Sequence, residues 1–314
     1  MCYACRIADP LRDLHKAITE VGEGNFDFWL PEIKSADEVG DLNLALRTMR
    51  GSLKQHIDDL ATAKAAREKL ESELNIARQI QMSLLPGAGE LVTRLSGEEL
   101  FARLKPAKAV GGDLYEVTEL DNDRYFIAVG DVSDKGIPAA LFMSRTMTLA
   151  KMLVPKCTNL GELLEELNNE LVEDNDACMF ITLFCAVINP HTGDMHFACA
   201  GHNPPVHVTK DGSLLLEMES GPPLGIFPET EYVEVQSRIE RGERLVVYSD
   251  GITEAFNESR AEFTEERLVE LMQELGTKGS AAEAGWHILE AVSGFVGGAE
   301  QSDDITLLVL DRPE

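Results

Sequence analysis

The sequence lacks the features of an exported, membrane-spanning or disulfide-stabilised chain. Its 314 residues contain no run of eighteen apolar residues and no signal-peptide core, so we expect the chain itself neither to cross a membrane nor to be exported. Its six cysteines show no spacing typical of a disulfide framework, which favours a reducing cytoplasm. Four of them lie in or beside apolar runs, where we expect small buried side chains: Cys157, Cys178, Cys185 and Cys199.

Basic residues are scarce as well. The chain has 28 Lys and Arg against 55 Asp and Glu, and residues 91–314 alone hold 17 basic and 40 acidic residues. Such a negative field repels nucleic-acid phosphates and anionic lipid headgroups, so neither is expected as a partner of this chain. A hydrophobic content of 44% nevertheless indicates a folded protein rather than an acidic disordered tail, and the length favours two domains.

The first ninety residues have a helical pattern. Pro10 is expected to open a first helix, which the glycines at positions 22 and 24 end. A connector follows over residues 25–35. A second helix is predicted to begin near Asp37 and to continue until Pro86.

Within the second helix, apolar residues recur in a seven-residue register from Leu46 to Leu84. This pattern predicts the seam of a parallel coiled-coil dimer, although three polar residues in the register lower its stability: His56, Arg67 and Gln81. The alternative is an amphipathic helix that packs on the next domain. Nearly six heptads in register favour the dimer.

Residues 6–58 resemble a HAMP signal-relay domain. The resemblance rests on Asp-Pro-Leu at 9–11, on the connector, and on Asp-Glu-Val-Gly-Asp-Leu at 37–42. It implies an all-α, parallel four-helix homodimer placed just behind a membrane-spanning helix, so the chain is expected to be the cytoplasmic part of an inner-membrane sensor. We therefore assign residues 1–58 to a HAMP domain and residues 59–86 to a coiled-coil linker.

Short strands and paired helices replace the long helical pattern after Pro86. Strand-like segments are interrupted by two helices at a time, which predicts an α+β sandwich of layered sheets rather than alternating βαβ units. The predicted strands span residues 124–132, 181–189, 195–200, 232–237, 244–249 and 305–310, and the predicted helices span residues 138–153, 159–174, 264–276 and 281–295.

Four aspartates stand where apolar strands end: Asp113, Asp131, Asp250 and Asp303. A single aspartate at such a place is more often a turn former, but four of them in one domain favour a shared site. Converging carboxylates repel one another and raise their own pKa values unless cations neutralise them. Hard oxygen ligands without neighbouring His or Cys select magnesium or manganese over zinc.

The same segments resemble the sporulation and stress-response branch of the PP2C-type, or PPM, serine/threonine phosphatases. The resemblance covers about residues 73–311 in the family's order. The first block is an entry motif formed by Glu73-Leu74, Ala77, Ile80-Gln81 and Leu84-Leu85-Pro86. The other blocks are Val-Gly-Gly-Asp-Leu-Tyr at 110–115, Gly-Asp-Val-Ser-Asp-Lys-Gly at 130–136, Ala-Gly-His-Asn-Pro-Pro at 200–205, Pro-Leu-Gly at 223–225, Tyr-Ser-Asp-Gly at 248–251 and Ser-Asp-Asp-Ile-Thr at 302–306. It implies a four-layer αββα sandwich over residues 87–314 that holds two Mn²⁺ or Mg²⁺ ions between its sheets.

The resemblance also implies a role for each ligand. Asp131 is expected to bridge the two metal ions. The carboxylate of Asp113 and the backbone carbonyl of Val132 are expected to complete the coordination of one ion. Asp250 and Asp303 are expected to coordinate the other. Val132 stands where eukaryotic relatives have glycine, a change that a carbonyl ligand tolerates.

Other residues of these blocks have weaker assignments. Asp304 is expected to orient the neighbouring ligand through a hydrogen bond. Glu116 stands where the family tends to have aspartate. Lys105 and Lys108 are the candidates for binding the substrate phosphate. The better interpretation of both is an exposed lysine that only contacts solvent. His202, between a strand and a Pro-Pro turn, is expected to be structural rather than a general acid.

The implied activity is the hydrolysis of a phosphoserine by water that two divalent ions activate, without a protein nucleophile. The family branch acts on a small STAS-domain regulator of the anti-anti-sigma type, so a phosphorylated STAS protein is the expected partner. Nothing in the sequence itself specifies that partner.

Two other functions are possible on the sequence. Residues 111–115 resemble the start of a GGDEF signature, and diguanylate cyclases also follow HAMP domains and coiled coils. Leu114 and Tyr115 depart from that signature, and only 26 residues separate Pro86 from Gly112, too few for the preceding cyclase elements. A catalytically inactive relay is the third candidate, and the presence of all the expected metal aspartates disfavours it.

Overall fold

The computed structural model describes residues 3–27, 30 and 37–314. These residues form two compact units, one up to Glu73 and one from Leu74 onward. In the described ranges, no helix is both long and apolar enough to cross a membrane.

The first unit is helical. Its helices are α1 (Tyr3–Gly22) and most of α2 (Glu38–Leu84), whose last turns belong to the second unit. Asp37 caps α2 because its carboxylate accepts hydrogen bonds from the backbone N–H groups of Val39 and Gly40, each at 3.2 Å. A small apolar core joins Leu14, Ala17, Leu30 and Leu46. The predicted second helix is therefore confirmed, whereas most of the predicted connector lies outside the described residues.

The expectation that Pro10 opens the first helix is wrong. The helix begins at Tyr3, and Pro10 lies inside it. Proline removes one helical hydrogen bond, but its fixed φ near −65° is a helical value, so a helix that starts upstream can include it.

The middle of α2 exposes its predicted seam in the single chain. Leu60 is 70% exposed and Leu70 is 54% exposed. The helix carries ion pairs at i,i+4 spacing on its surface, among them Arg67 with Glu71 at 2.7 Å, which favour the helical conformation. The dimer remains a prediction.

The last turns of α2 differ from the predicted seam. Gln81 is only 6% exposed within the second unit, and Leu74 and Ala77 are partly buried. These positions are three and four residues apart, so they form one face of the helix. The assignment of Gln81 to a dimer seam is therefore wrong, because this side chain packs inside the second unit.

The second unit contains two sheets and five helices. Its strands are β1 (Glu90–Leu95), β2 (Glu98–Lys105), β3 (Leu114–Glu119), β4 (Tyr125–Val132), β5 (Ile181–Ile188), β6 (Asp194–Ala200), β7 (Val206–Thr209), β8 (Gly212–Leu215), β9 (Ser220–Gly221), β10 (Val235–Arg238), β11 (Glu243–Tyr248) and β12 (Ile305–Arg312). Its helices are α3 (Ile137–Leu153), α4 (Leu160–Val172), α5 (Asp250–Thr253), α6 (Glu265–Leu275) and α7 (Ala281–Val296). Short 3₁₀ turns span Pro86–Gly89 and Asp121–Asp123.

The two sheets pack face to face between helical layers. One sheet has the order β1-β2-β12-β11-β7-β8, and the other has the order β10-β6-β5-β4-β3 with β9 beside β6. Helices α6 and α7 cover the first sheet, while α3 and α4 cover the second. The αββα sandwich expected from the sequence is confirmed.

Strand β12 shows how the sequence builds these layers. Leu308 and Leu310 belong to the core between the sheets, whereas Leu307 and Val309 belong to the core beneath the helices of the first sheet. Alternate residues of a strand point to opposite faces, so a continuous apolar run fills both layers.

Some local predictions need correction. Strands β1, β2, β3, β7, β8 and β9 were not expected, because they are short or carry charged residues. The predicted strand at 232–237 begins only at Val235. Cys185 and Cys199 are buried as expected and Cys157 is partly buried, but Cys178 is exposed because it lies in the loop after α4.

Candidate metal centre

Asp113 lies immediately before β3 and is 2% exposed. Its Oδ2 accepts two hydrogen bonds, from the hydroxyl of Ser249 at 2.7 Å and from that of Thr306 at 2.6 Å. Ser249 follows β11 and Thr306 lies in β12, so both partners come from the opposite sheet. The carboxylate is therefore fixed between the two sheets in one orientation.

Asp131 and Val132 end β4 beside Asp113. A side chain on Gly112 would place its Cβ 2.8 Å from the carbonyl oxygen of Val132, so the chain before Asp113 packs directly on that carbonyl. Burial and the neighbouring carboxylates raise the pKa of both Asp113 and Asp131.

Asp250 and Asp303 complete the cluster. Asp250 is the first residue of α5, and Asp303 lies in the loop that leads into β12. A side chain on Gly251 would overlap the backbone carbonyl of Asp304, so only glycine lets these two segments meet. Burial, with the charges of Glu254 and Asp303, raises the pKa of Asp250 to about 6.

Asp304 makes the expected hydrogen bond to the neighbouring ligand through its backbone, and its carboxylate holds a second segment of the chain. Its Oδ1 accepts the backbone N–H of Ala107 at 2.7 Å, and its Oδ2 accepts that of Gly112 at 2.8 Å. It thus holds the loop that carries Asp113. The backbone N–H of Asp304 itself donates to Asp303 Oδ1 at 2.9 Å.

The sequence analysis missed Lys135, which places a positive charge in this site. Its Nζ lies 2.7 Å from Asp303 Oδ2 and donates to the carbonyl of Ser302 at 2.8 Å. The turn at residues 133–136, with positive φ at Asp134 and Gly136, returns the chain toward the carboxylates. The signal was available, because Lys135 lies inside the block that carries Asp131.

The remaining candidates lie elsewhere. Lys105 and Lys108 are exposed, as expected of solvated lysines. Glu116 is buried against Lys151, whose Nζ lies 3.0 Å from Glu116 Oε2. The Nδ1 of buried His202 is 2.9 Å from the hydroxyl of Thr182, and burial lowers the pKa of His202 to about 4. A neutral, buried imidazole supports the structural interpretation of His202.

The chemistry of this donor set fits a hard divalent cation. Within residues 3–27, 30 and 37–314, no three His, Cys, Asp or Glu side chains surround one point as ligands. Asp113 is hydrogen-bonded by two hydroxyls, and Asp303 is paired with Lys135. The cluster nevertheless offers four carboxylates and the Val132 carbonyl, the oxygen donors that Mg²⁺ and Mn²⁺ prefer. Burial, together with the charges of neighbouring carboxylates, raises the pKa values of Asp113, Asp131 and Asp250, and a bound cation would favour their ionised forms.

A sandwich of two sheets with carboxylates between them is the architecture of PP2C-type phosphatase domains. The SiaA PP2C domain of Pseudomonas aeruginosa superposes with a TM-score of 0.68 at 21% identity, covering 79% of this chain and 98% of that domain. Residues 121–313 match the Stage II sporulation protein E (SpoIIE) family, and residues 4–55 match the HAMP domain. The chain therefore belongs to the SpoIIE family and carries an N-terminal HAMP domain.

Two curated proteins are similar to most of this chain. Phosphoserine phosphatase RsbU of Bacillus subtilis is 31% identical over 80% of this chain and 73% of RsbU. Protein IcfG of Synechocystis is 29% identical over 96% of this chain, which spans about half the length of IcfG, 51%. The diguanylate-cyclase alternative is wrong, because residues 111–115 lead into β3 of a PP2C sandwich.

Proposed function

We propose that this chain is a metal-dependent protein phosphatase that hydrolyses phosphoserine on a regulator protein, with a STAS-domain protein as the substrate. The observation that carries the proposal is that the chain segments bearing the four aspartates meet in a SpoIIE-family domain: Ser249 and Thr306 donate to Asp113, and Gly112 packs on the Val132 carbonyl. The similarity to phosphoserine phosphatase RsbU supports phosphoserine as the substrate group.

Each ligand has a position suited to its proposed role. Asp131 lies among the other carboxylates and would bridge two ions. Asp113 and the Val132 carbonyl, which meet across Gly112, would hold one ion, and Asp250 with Asp303 would hold the other. When bound, two Mn²⁺ or Mg²⁺ ions supply a hydroxide near neutral pH and polarise the phosphate.

The chain's own residues orient the centre and attract the substrate. Ser249 and Thr306 hold the Asp113 carboxyl group in one orientation, since both hydroxyls donate to its Oδ2. Lys135, whose side chain is 37% exposed, presents a positive charge at the rim of a strongly acidic domain. A phosphate dianion approaching that rim meets less repulsion than elsewhere on this surface.

The organisation of the chain is part of the proposal. We assign a HAMP domain to residues 1–58, a coiled-coil linker to 59–86 and the catalytic domain to 87–314. The exposed leucines of α2, Leu60 and Leu70, support a homodimer through the helical region, because such side chains pack against a partner helix in coiled coils. The HAMP domain supports a place in the cytoplasm, next to the inner membrane, as part of a sensor.

Hydrolysis of p-nitrophenyl phosphate by the purified chain tests the proposal. We expect turnover with Mn²⁺ or Mg²⁺, its loss in EDTA, and its recovery when Mn²⁺ is added back. GTP incubated with the same preparation should yield no cyclic dinucleotide. Turnover that survives exhaustive chelation would contradict the proposed chemistry.

A further inference from the structure

We infer that a cavity beside the metal centre, formed by one face of α7 and the loop at residues 299–302, receives a large apolar side chain of the phosphorylated protein substrate. The cavity has a volume of about 410 Å³, within the range of about 300–1,000 Å³ that is usual for ligand pockets. The inference rests on the proposed phosphatase function and adds a second point of contact with the substrate.

Helix α7 supplies one wall of the cavity. The residues of this wall recur at three- and four-residue spacing and therefore form one face of the helix: Trp286, Leu289, Ser293 and Val296. Ala284 and Ile288 lie on another face and pack into the core beneath the helices of the first sheet. Helix α7 thus has a second, largely apolar face that this core covers only in part.

The indole ring of Trp286 is held in place although it is 37% exposed. It meets the ring of Phe101 edge to face, with 5.7 Å between the ring centroids, and the guanidinium of Arg103 lies 4.2 Å from its centroid. Arg103 is held in turn by Glu90, whose Oε2 lies 3.2 Å from Arg103 Nη1. A fixed aromatic ring loses little conformational entropy when a partner binds, and Trp and Arg often carry the binding energy of protein interfaces.

The opposite wall is continuous with the metal centre. Gly251 and Ser302 line the cavity, and each is the chain neighbour of a candidate ligand, Asp250 or Asp303. The carbonyl of Ser302 also accepts the Nζ of Lys135, the lysine at the rim of the centre, at 2.8 Å. An extended peptide spans about 3.3–3.6 Å per residue, so a side chain within four residues of a phosphoserine in the centre can reach the cavity.

The charges around the cavity favour an apolar group of the substrate as its occupant. Two basic residues of the lining balance two acidic ones, Arg103 and Lys105 against Glu290 and Glu300. Residues 91–314 as a whole hold 17 basic and 40 acidic residues, so the cavity is a neutral opening in an acidic surface. Such an opening accepts an apolar side chain more readily than a charged one, and it repels an anionic phosphoprotein less than the surrounding surface does.

Nine-residue peptides with a central phosphoserine in an alanine background test the inference in the full chain with Mn²⁺. Eight of them carry one phenylalanine, at each of the four positions on either side of the phosphoserine, and the parent peptide carries none. We expect phenylalanine at one or more positions to raise kcat/KM of the wild type at least about tenfold, the equivalent of about 1.4 kcal/mol. Trp286→Ala should remove this gain. Turnover of p-nitrophenyl phosphate, which has no side chain to place in the cavity, should be retained.

A second variant keeps the test decisive if Trp286→Ala does not fold. Ser293 is exposed, so Ser293→Trp fills the cavity from its rim without removing a packed side chain, and it should also abolish the gain. His287→Trp is the matched control, because His287 is exposed on the same helix but lies outside the cavity lining. This control should keep the gain.

Three results would overturn the inference. Equal kinetics for all nine peptides in the wild type would assign the cavity to another occupant, such as a second copy of this chain. A gain that survives both Trp286→Ala and Ser293→Trp would place the phenylalanine elsewhere. Equal losses of peptide and p-nitrophenyl phosphate turnover would show that the cavity only supports the centre. Failure of the proposed function would show differently, as wild-type protein that hydrolyses neither p-nitrophenyl phosphate nor any peptide.

Discussion

Replacing Asp131 with asparagine should abolish hydrolysis and also stabilise the metal-free fold. Asp131 lies beside Asp113 and near the charges of Asp250 and Asp303. Burial and these charges raise the pKa of Asp131, so ionising it costs folding free energy. Asp131→Asn removes that charge, and the new amide can donate to the Asp113 carboxylate.

The sign and size of this change in folding stability follow from the difference between the pKa of Asp131 in the folded and in the unfolded state. A carboxyl group whose pKa is raised on folding destabilises the fold at pH values above its folded pKa, and the penalty disappears below its unfolded pKa. The pKa of Asp131 is raised from 3.8 to about 7. Each pKa unit corresponds to about 1.4 kcal/mol, so we expect a gain of about 4 kcal/mol at pH 8. In a domain of this size that raises Tm by about 8–16 °C. The difference between variant and wild type should vanish near pH 4.

Thermal unfolding at pH 8, in EDTA and in Mn²⁺, measures both halves of the prediction. Mn²⁺ at 100 times its Kd should stabilise the wild type by about 2.7 kcal/mol and leave Asp131→Asn unchanged. Asp134→Asn is the control, because Asp134 is exposed in the loop that follows β4. A variant that is less stable than the wild type in EDTA, or that keeps most of its Mn²⁺-dependent turnover, would refute this reasoning.

Three further substitutions test other parts of the structure. Lys135→Met should lower kcat/KM for a phosphorylated protein about tenfold, because it removes about 1.4 kcal/mol of attraction between the lysine and the phosphate dianion. Lys108→Met is the control and should leave kcat/KM unchanged. Equal kinetics in both variants would argue against a role for Lys135. Arg244→Met should reduce the free energy of unfolding measured in urea by about 3–5 kcal/mol, because it leaves the buried Asp311 carboxylate without the guanidinium group that binds it at 2.5 and 2.7 Å. A loss below 1 kcal/mol would show that Asp311 finds other partners. Arg67→Leu should tighten the homodimer in analytical ultracentrifugation, and a monomer at micromolar concentration would contradict the seam.

The sequence predicted the sandwich because its central strands are long apolar runs. Strand β4 (Tyr125–Val132) and strand β5 (Ile181–Ile188) are buried on both faces, and such runs are visible without a structure. Strand β2 was missed because it carries several charged residues, beginning with Glu98. In the fold Glu98 is buried, accepts the Tyr125 hydroxyl and pairs with Arg312 at 3.2 Å, contacts that join distant segments.

The candidate ligands could be predicted for a similar reason, whereas the residues that orient them through hydrogen bonds could not. Each aspartate of the cluster ends an apolar strand or precedes one, which is a local signal. The partners that orient Asp113 come from positions 249 and 306, far along the chain. Gln81 fits a heptad register as well as it fits its actual contact with Gly111, 30 residues away, so periodicity alone favoured the wrong partner.

Phosphate release from a serine-phosphorylated STAS protein tests the central claim most directly. The account predicts release by the wild-type chain in Mn²⁺, none in EDTA, and none by Asp113→Asn in Mn²⁺ even though that variant folds. Release that is equal with and without metal, or unaffected by Asp113→Asn, would contradict it.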